Sequence, residues 1–532
     1  MSKLRYILNS KSKTITAAAV ILATATLMSR LLGLIKIHLF AYFFGAGDIY
    51  DVYVAAFRLP DFLFLLLITG TLSAGLIPVF TDYLNKNEKR VWCLVSNLLN
   101  IMMLSIIFLS TFLILITPWL MPLIVPGFNP EKTALAINLT RLLLLQPIFL
   151  ALSSLFSGIL QSFKRFLVTA IAPLLYNIGI ILGLVLFQSV WGMYGVVYGV
   201  ILGAFLQMLV QLPPMINSGF RWQPLFNWHD SGLKRIIKLA PPRVLALLVS
   251  QINIFAITNI ASTLGKGRLS AYDYADLLQS FPVDIFGLSF AMAAFPTLAD
   301  FLSQNKTKEF IHSLINTLRQ ILFFMAPASI FMIILRAQIV RVILGQGAFD
   351  WTATRLTINC LQFFAIGMFA QAAILLFTRA FYALENTKTP FIIGLVGAGV
   401  NVIGCIILSQ KLNVAGLALA FSIANIATAL VLFIVLHLKV GYLDDWIFIK
   451  AVLKIALASL IAGFVVYGML GLMALFVNTR TYIGIGSQGL IAAAFGVIAY
   501  VLICLFLRIK EMLILCNLIK TKLKKIYEIR FL

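Results

Sequence analysis

The sequence has too few charged residues to cover a water-soluble surface. Charged side chains make up 11% of the 532 residues, whereas 61% are hydrophobic and the mean hydropathy is +1.02. Soluble domains carry about 25% charged and about 45–50% apolar residues. The composition therefore excludes soluble enzymes, soluble nucleic-acid-binding proteins and secreted disulfide scaffolds, and it predicts a polytopic membrane protein.

Residues that usually perform catalysis or bind metals are also scarce. The four histidines lie far apart without metal-ligand spacing, and the five cysteines form no CxxC pair. No phosphate-binding loop motif occurs either, so we expect no cofactor and no enzyme activity. A coupling monovalent cation, the membrane potential or the gradient of the substrate itself would have to drive any transport.

Acidic residues are few compared with basic ones. There are 18 Asp and Glu against 41 Lys and Arg, which gives a net charge of +23. In a membrane protein, basic loops set the orientation of the helices and contact anionic headgroups. We therefore expect anionic membrane lipids as partners, and no nucleic acid.

Long hydrophobic runs dominate the chain. About 20 mostly apolar residues suffice for a helix to cross the hydrocarbon core. By this criterion the fold class is an all-α polytopic membrane protein with about 14 transmembrane helices. The predicted spans are roughly 15–44, 51–80, 91–124, 133–162, 166–189, 193–216, 236–264, 270–300, 308–344, 352–384, 388–409, 413–438, 447–477 and 485–508.

Loop charges predict the orientation of these spans. If the N-terminus is cytoplasmic, most Lys and Arg residues of the loops fall on the inner side, as the positive-inside rule requires. An even number of spans then places both termini in the cytoplasm. We interpret the basic tail 509–532 as an amphipathic helix on the anionic inner leaflet.

An internal repeat predicts two pseudo-symmetric lobes. The pattern Pro-x-x-x-Asp-aromatic-Leu occurs at 78–84 and again at 296–302, six predicted spans later. Because six is even, the two copies have the same topology, as in transporters built from parallel repeats. We assign residues 1–220 to an N-terminal lobe, 221–440 to a C-terminal lobe and 441–508 to two further helices.

Ionisable residues inside the predicted spans are the strongest functional signal. Arg30 and Lys36 lie in span 1, and Arg58 lies in span 2. A charge at the bilayer centre costs about 2.5–3.5 kcal/mol or more, so it usually faces a cavity or a partner. We interpret this set as the lining of a cationic cavity for an anionic group. Pairing of Arg58 with Asp61 and snorkelling at the span ends remain alternatives.

Proline and glycine mark bends and close packing. Pro60 and Pro282 occupy corresponding spans of the repeat, and we predict hinges at both. Gly195, Gly199 and Gly203 recur every fourth residue, which predicts a ridge that lets another helix approach closely.

Eight groups of short motifs occur in order through the first twelve predicted spans. They are SRLLGLIK at 29–36, FGAG at 44–47 with Asp51, AFRLP at 56–60, Gly70 to Pro78, AP at 172–173 with Asn177, YAD at 274–276 with FP at 281–282, GQGAF at 345–349, and FYAL at 381–384 with TKTP at 387–390. No single motif is specific, but together they resemble one family of transporters, the MurJ (MviN) lipid II flippases of the MOP exporter superfamily.

The resemblance implies a function. The substrate would be lipid II, the undecaprenyl-diphosphate-linked disaccharide-pentapeptide used in peptidoglycan and cell-wall biosynthesis. Its headgroup would pass from the inner to the outer leaflet of the bacterial cytoplasmic membrane by alternating access, and residues 441–508 would hold the lipid tail. The cell-wall synthesis machinery would be a further partner.

The resemblance also suggests residue roles. It places substrate-binding basic groups at Arg30 and Lys36, and acids for gating or ion coupling at Asp51 and Asp276. A diphosphate favours the forked guanidinium group, so Arg30 and Arg58 are the expected phosphate ligands, with Lys36 as a supporting charge.

Three other functions compete with this interpretation. One is a flippase for another polyprenyl-linked glycan, or an exporter of a small molecule, with the same fold. A second is a membrane enzyme, which would need a large acidic outer loop that the sequence lacks. The third is a scaffold without transport activity, for which neutralising Arg30 and Arg58 would have no effect.

Overall fold

The computed structural model describes residues 15–66, 80, 83, 88–239, 241–441, 445–517 and 520–521. The chain forms two compact units. The first consists of residues 1–270 with 347–349, and the second consists of 271–346 with 350–532. The four predicted segments of the chain, with boundaries at 220, 440 and 508, stay predictions.

The described part of the first unit consists of helices and the irregular segments between them. A π-helical turn, Gly183–Phe187, joins α6 to α7. The helices are α1 Ile15–Phe44, α2 Asp48–Phe64, α3 Glu88–Ile124, α4 Pro130–Leu143, α5 Gln146–Ser162, α6 Phe166–Leu182, α7 Gln188–Trp191, α8 Met193–Leu209, α9 Leu212–Asn217, α10 Ser231–Leu239 and α11 Pro241–Thr263.

The second unit begins at Ala271, inside α12, and contains the helices described after it. A π-helical turn, Val283–Leu288, separates α12 from α13. The helices are α12 Arg268–Pro282, α13 Ser289–Ser303, α14 Thr307–Ile343, α15 Trp351–Ala383, α16 Lys388–Leu412, α17 Val414–Val440, α18 Asp445–Ala474 and α19 Tyr482–Phe506.

Helix lengths agree with the predicted spans. Within the described ranges, twelve helices are long and apolar enough to cross a membrane. They correspond to every predicted span except the second and the seventh. The second runs into residues 67–79, outside the described part, and the seventh has a shorter apolar helix, Leu247–Thr263. The all-α membrane architecture is confirmed, whereas the total of 14 spans stays a prediction.

The predicted glycine ridge packs as expected. An added Cβ on Gly199 would lie 2.5 Å from the Cα of Gly183, and one on Gly203 would lie 2.5 Å from the carbonyl oxygen of Tyr176. Thus α8 contacts the backbone of α6 and of the π-helical turn that follows it. The sequence indicated the ridge on α8, but not Gly179 and Gly183, which form the matching surface.

Both predicted hinge prolines are followed by π-helical backbone. Pro60 is buried in α2, and Leu65 and Leu66 are π-helical. Pro282 ends α12, and the π-helical turn begins at Val283. A proline disturbs the turn that precedes it, whereas the widened backbone follows both prolines; π-helical turns within α-helices are frequent at functional sites. The hinge role of both prolines stays a prediction.

The described part of the basic tail packs against the helices of its own unit. Residues 510–517 and 520–521 are helical, and the rest of the predicted amphipathic helix lies outside the described residues. Arg319 of α14 forms a bidentate ion pair with Glu511, with Nε 2.8 Å from Oε1 and Nη2 3.2 Å from Oε2. Both side chains are buried. The start of the tail is therefore anchored to the middle of α14.

The repeat can be located only in its second copy. Pro296 lies inside α13, and Asp300 and Phe301 belong to the end of the same helix. The first copy, at 78–84, lies almost entirely outside the described residues. The predicted repeat therefore stays a prediction.

Candidate substrate-binding and gating residues

Helix α1 carries two of the three predicted phosphate ligands. Arg30 and Lys36 are both half-buried. Six residues correspond to about 600° of helical rotation, so the two side chains point about 120° apart. Helix α1 packs against α6, where Asn177 donates a hydrogen bond to Ser29 at 3.2 Å. This packing fixes the rotation of α1 and thereby the directions of both basic groups.

Arg58 of α2 is held by a residue of α11. Its Nε donates a hydrogen bond to Oγ1 of Thr258 at 2.9 Å. Thr258 is fully buried and in turn donates to the carbonyl oxygen of Ile254 at 2.8 Å. The guanidinium group is half-buried, and the hydrogen bond from Nε to a neutral hydroxyl helps to orient it.

Asp51 lies at the centre of a polar cluster at the end of the first unit where α1 ends. We call Asp48, Asp51, Lys132, Gly267 and Ser270 the Asp51 cluster. One carboxylate oxygen of Asp51 accepts hydrogen bonds from the Ser270 amide at 2.8 Å and the Ser270 hydroxyl at 2.6 Å. The other accepts from the Gly267 amide at 2.8 Å. Asp51 is 1% exposed.

These bonds place Asp51 at the N-terminus of α12. Helix α12 begins at Arg268, so Gly267 and Ser270 supply amide groups that have no partner within the helix. A carboxylate there also interacts favourably with the helix dipole. Asp51 therefore acts as the cap of a helix more than 200 residues later in the chain.

Lysine side chains complete the cluster. Nζ of Lys132 is 2.7 Å from Asp48 and 3.4 Å from Asp51, and Lys266 is 3.4 Å from Asp48. Burial would raise the pKa of Asp48, but the hydrogen bond and charge of Lys132, followed by the charge of Lys266, lower it overall. The lowered pKa of Asp48 stabilises the folded state when the pH is above the ordinary pKa of an aspartate. This stabilisation is lost as the pH falls through the lowered pKa of Asp48 in the folded protein.

The loops around the cluster require glycine. Gly267 has φ +73°, and an added Cβ would lie 2.4 Å from the carbonyl oxygen of Ala46. Gly347 has φ +63°, and an added Cβ would lie 2.2 Å from the carbonyl oxygen of Tyr42. Both conformations are favourable only for glycine. The glycines thus allow the backbones of the turns before α12 and before α15 to approach the backbone around the end of α1 closely.

The second predicted gating acid lies in the second unit. Asp276 of α12 is half-buried and accepts a hydrogen bond from Nε2 of Gln279 at 2.9 Å. Gln279 is fully buried, one turn further along the same helix. The carboxylate is therefore oriented by its own helix.

The comparison with protein families decides the relationship of this chain. A family described as lipid II flippase MurJ matches residues 40–486. The chain belongs to that family. The probable lipid II flippase MurJ of Buchnera aphidicola subsp. Acyrthosiphon pisum (strain APS) is 30% identical over 453 residues, covering 84% of this chain and 89% of that protein. The corresponding protein of Thermotoga maritima is 28% identical over 490 residues, covering 92% and 95%.

Solved structures agree with this family assignment. A lipid II flippase MurJ in an inward closed conformation matches with a TM-score of 0.77 and 27% identity, covering 92% of this chain and 99% of that one. An inward-facing MATE family transporter of the MOP superfamily matches with a TM-score of 0.67, covering 80% and 99%. At 15% identity, the MATE transporter shows the fold alone. The predicted family is confirmed by the family match, and the likeness to the MATE transporter confirms the fold.

Membership in the MurJ family leaves the individual site residues as predictions. The structure brings Asp51 together with Lys132 and Ser270, and it brings Arg58 to Thr258. Sequence reasoning missed these partners, because they lie far from Asp51 and Arg58 in the chain. One local sequence signal could have indicated this site. Gly265 and Gly267 just before α12 are typical of a tight turn, and such a turn can direct the first amides of a helix toward an acid.

Proposed function

We propose that this protein transports lipid II from the inner to the outer leaflet of the bacterial cytoplasmic membrane by alternating access. Its membership in the lipid II flippase MurJ family, over residues 40–486, carries the proposal. The protein is therefore a transporter and not an enzyme. The multi-pass helical architecture fits such a task, because a diphosphate headgroup cannot cross hydrocarbon without a polar path.

The basic residues of α1 and α2 bind the diphosphate in this proposal. Thr258 orients Arg58 through its Nε, and the planar guanidinium group suits forked hydrogen bonds to phosphate oxygens. Arg30 and Lys36 contribute charge from two directions around α1. A half-buried position strengthens these charge interactions compared with bulk water.

The Asp51 cluster acts as a gate in this proposal. Its bonds join the first turn of α2 with the start of α12 and the first turn of α4, mainly through the carboxylates of Asp51 and Asp48. Breaking the cluster exposes two amides and a carboxylate that water can solvate. Opening therefore exchanges protein hydrogen bonds for hydrogen bonds to water and has a modest net cost.

The remaining predicted residues take part in energy coupling and in helix bending in this proposal. Asp276 serves as a gate partner or coupling-ion site, with a monovalent cation or the membrane potential supplying the energy. Pro60 and Pro282 serve as hinges, because the π-helical turns beside them leave backbone groups that can change partners.

The orientation and lipid partners follow from the loop charges. Both termini lie in the cytoplasm, and the Asp51 cluster then lies at the outer side of the membrane. Anionic lipids contact the inner basic loops and the tail, and the cell-wall synthesis machinery receives the flipped substrate.

Complementation tests the proposed substrate. Expression of the chain in a bacterium depleted of its own lipid II flippase is expected to restore growth and cell shape. A variant with Arg30→Ala and Arg58→Ala, present in the membrane at the same level, is expected to fail. Growth rescue by the double variant would contradict the proposed roles, and failure of the unmodified chain despite membrane expression would contradict the substrate.

A further inference from the structure

The segment between α9 and α10, residues 220–230, has an unusual surface for a connecting loop. It has no regular secondary structure between Phe220 and Asn227, yet it exposes several large apolar side chains. The exposed fractions are 59% for Trp222, 37% for Leu225, 58% for Phe226 and 53% for Trp228. A loop in water would not ordinarily present two tryptophans and a phenylalanine together.

Hydrogen bonds from α3 fix this linker in place. Asn97 exchanges two hydrogen bonds with the backbone of Asn227, at 2.7 and 2.8 Å. Asn100 donates to the carbonyl oxygens of Gln223 and Leu225 at 2.7 and 3.0 Å. Both asparagines are buried, and they lie three residues apart on one face of the helix.

The same bonds determine which parts of the linker face outward. The indole nitrogen of Trp222 donates to Oδ1 of Asn100 at 2.8 Å, which satisfies the polar end of the ring while the rest stays exposed. The backbone polar groups of the linker thus turn toward α3, and the apolar side chains turn away from it. The exposure is therefore built into the fold.

Basic residues flank the exposed rings. Arg221 precedes them, and α10 directly follows, with Lys234, Arg235 and Lys238 exposed while Leu233 is buried. Asp230, the only acid in this stretch, is half-buried and caps α10 through the Leu233 amide at 2.9 Å. The surface thus combines an apolar centre with a positive rim.

We infer that residues 221–238 form an anchor that inserts into the anionic surface of the membrane. Exposed aromatic rings with one polar end suit the boundary between headgroups and acyl chains, and neighbouring Lys and Arg suit anionic headgroups. The position fits as well: the linker is bonded to Asn97 and Asn100, which lie in the first third of the predicted span 91–124. The inference does not depend on which molecule the protein transports.

Spin labelling of the full chain in vesicles tests the anchor. The native cysteines are replaced, and a nitroxide is attached to Phe226→Cys or to the control Asn305→Cys. Asn305 is an exposed residue in the α13–α14 turn, which the predicted topology places on the same side of the membrane. In phosphatidylglycerol-containing vesicles, the label at 226 is expected to collide preferentially with oxygen, and the label at 305 with a water-soluble nickel chelate.

Removing the charge from either the lipid or the protein distinguishes contact with anionic lipid from other contacts. Pure phosphatidylcholine vesicles, or the variant Lys234→Gln/Arg235→Gln/Lys238→Gln, are expected to raise nickel accessibility at 226 at least twofold. Equal nickel accessibility at 226 and 305 in anionic vesicles would overturn the inference. So would dipolar broadening at 226 that disappears on dilution with unlabelled protein, since a second copy would then cover the surface.

Discussion

At the scale of single residues, the arrangement around Asp51 shows how one carboxylate can hold several loops together. It accepts three hydrogen bonds within the turn that begins α12 and also contacts Lys132. A buried carboxylate is stable only when such partners replace water. The same dependence makes it sensitive to small chemical changes.

Replacing Asp51 by asparagine is expected to loosen the cluster. The amide nitrogen of Asn would face a backbone amide donor at Gly267 or Ser270, and the attraction to Lys132 would be lost. Leu269, which is 1% exposed, then becomes accessible. In a background without native cysteines, labelling of Leu269→Cys by a membrane-impermeant maleimide is expected to accelerate at least fivefold in the Asp51→Asn variant.

Asp48 provides the matched control for that measurement. Its side chain is 40% exposed and forms ion pairs with Lys132 and Lys266, so Asp48→Asn is expected to change labelling less than Asp51→Asn does. Equal labelling rates in the unmodified chain and in Asp51→Asn would show that the cluster does not control access to this site.

At the scale of helices, hydropathy predicted the spans well but not the contacts between them. The 37-residue α14 and the run from α4 into α5 follow from apolar length alone. The three glycines of α8 were recognised by their spacing, whereas the matching pair Gly179 and Gly183, also four residues apart, was missed. Contacts such as that of Arg319 with Glu511 join residues 192 positions apart, and no local pattern indicates them.

Close packing of α8 against α6 gives a prediction at this scale. Gly199→Ala places a methyl group 2.5 Å from the Cα of Gly183, so the helices must separate. We expect a loss of about 1–3 kcal/mol, seen as a lower melting temperature of the purified protein. Gly394→Ala in α16 is the control, since its added Cβ meets no atom within 4 Å. A similar melting temperature for both variants would contradict the close packing.

The anchored tail gives a second prediction. Glu511→Gln leaves the guanidinium group of Arg319 buried without its counter-charge, at a cost of about 3–5 kcal/mol. The tail is expected to detach, so that limited proteolysis cleaves near residue 509 faster. Glu309→Gln, an exposed change near the start of α14, is expected to leave cleavage unchanged. Equal cleavage of the two variants would argue against the ion pair.

At the scale of the whole molecule, composition and motifs predicted the class of the protein and its family. Low charge and long apolar runs sufficed for a multi-pass membrane fold, and the ordered motifs sufficed for the MurJ family, as the match over 40–486 confirms. The partners of Asp51 and Arg58 could not be predicted, because they depend on tertiary contacts with Ser270 and Thr258. The roles of the basic residues stay predictions.

The rate of lipid II translocation tests the central claim most directly. Purified protein in vesicles is expected to move labelled lipid II between leaflets, and Arg30→Ala is expected to slow this at least tenfold. Arg480→Ala, a change at an exposed residue before α19, is expected to keep the unmodified rate. Translocation by Arg30→Ala at the unmodified rate would contradict the account, because the headgroup would then cross without this guanidinium group.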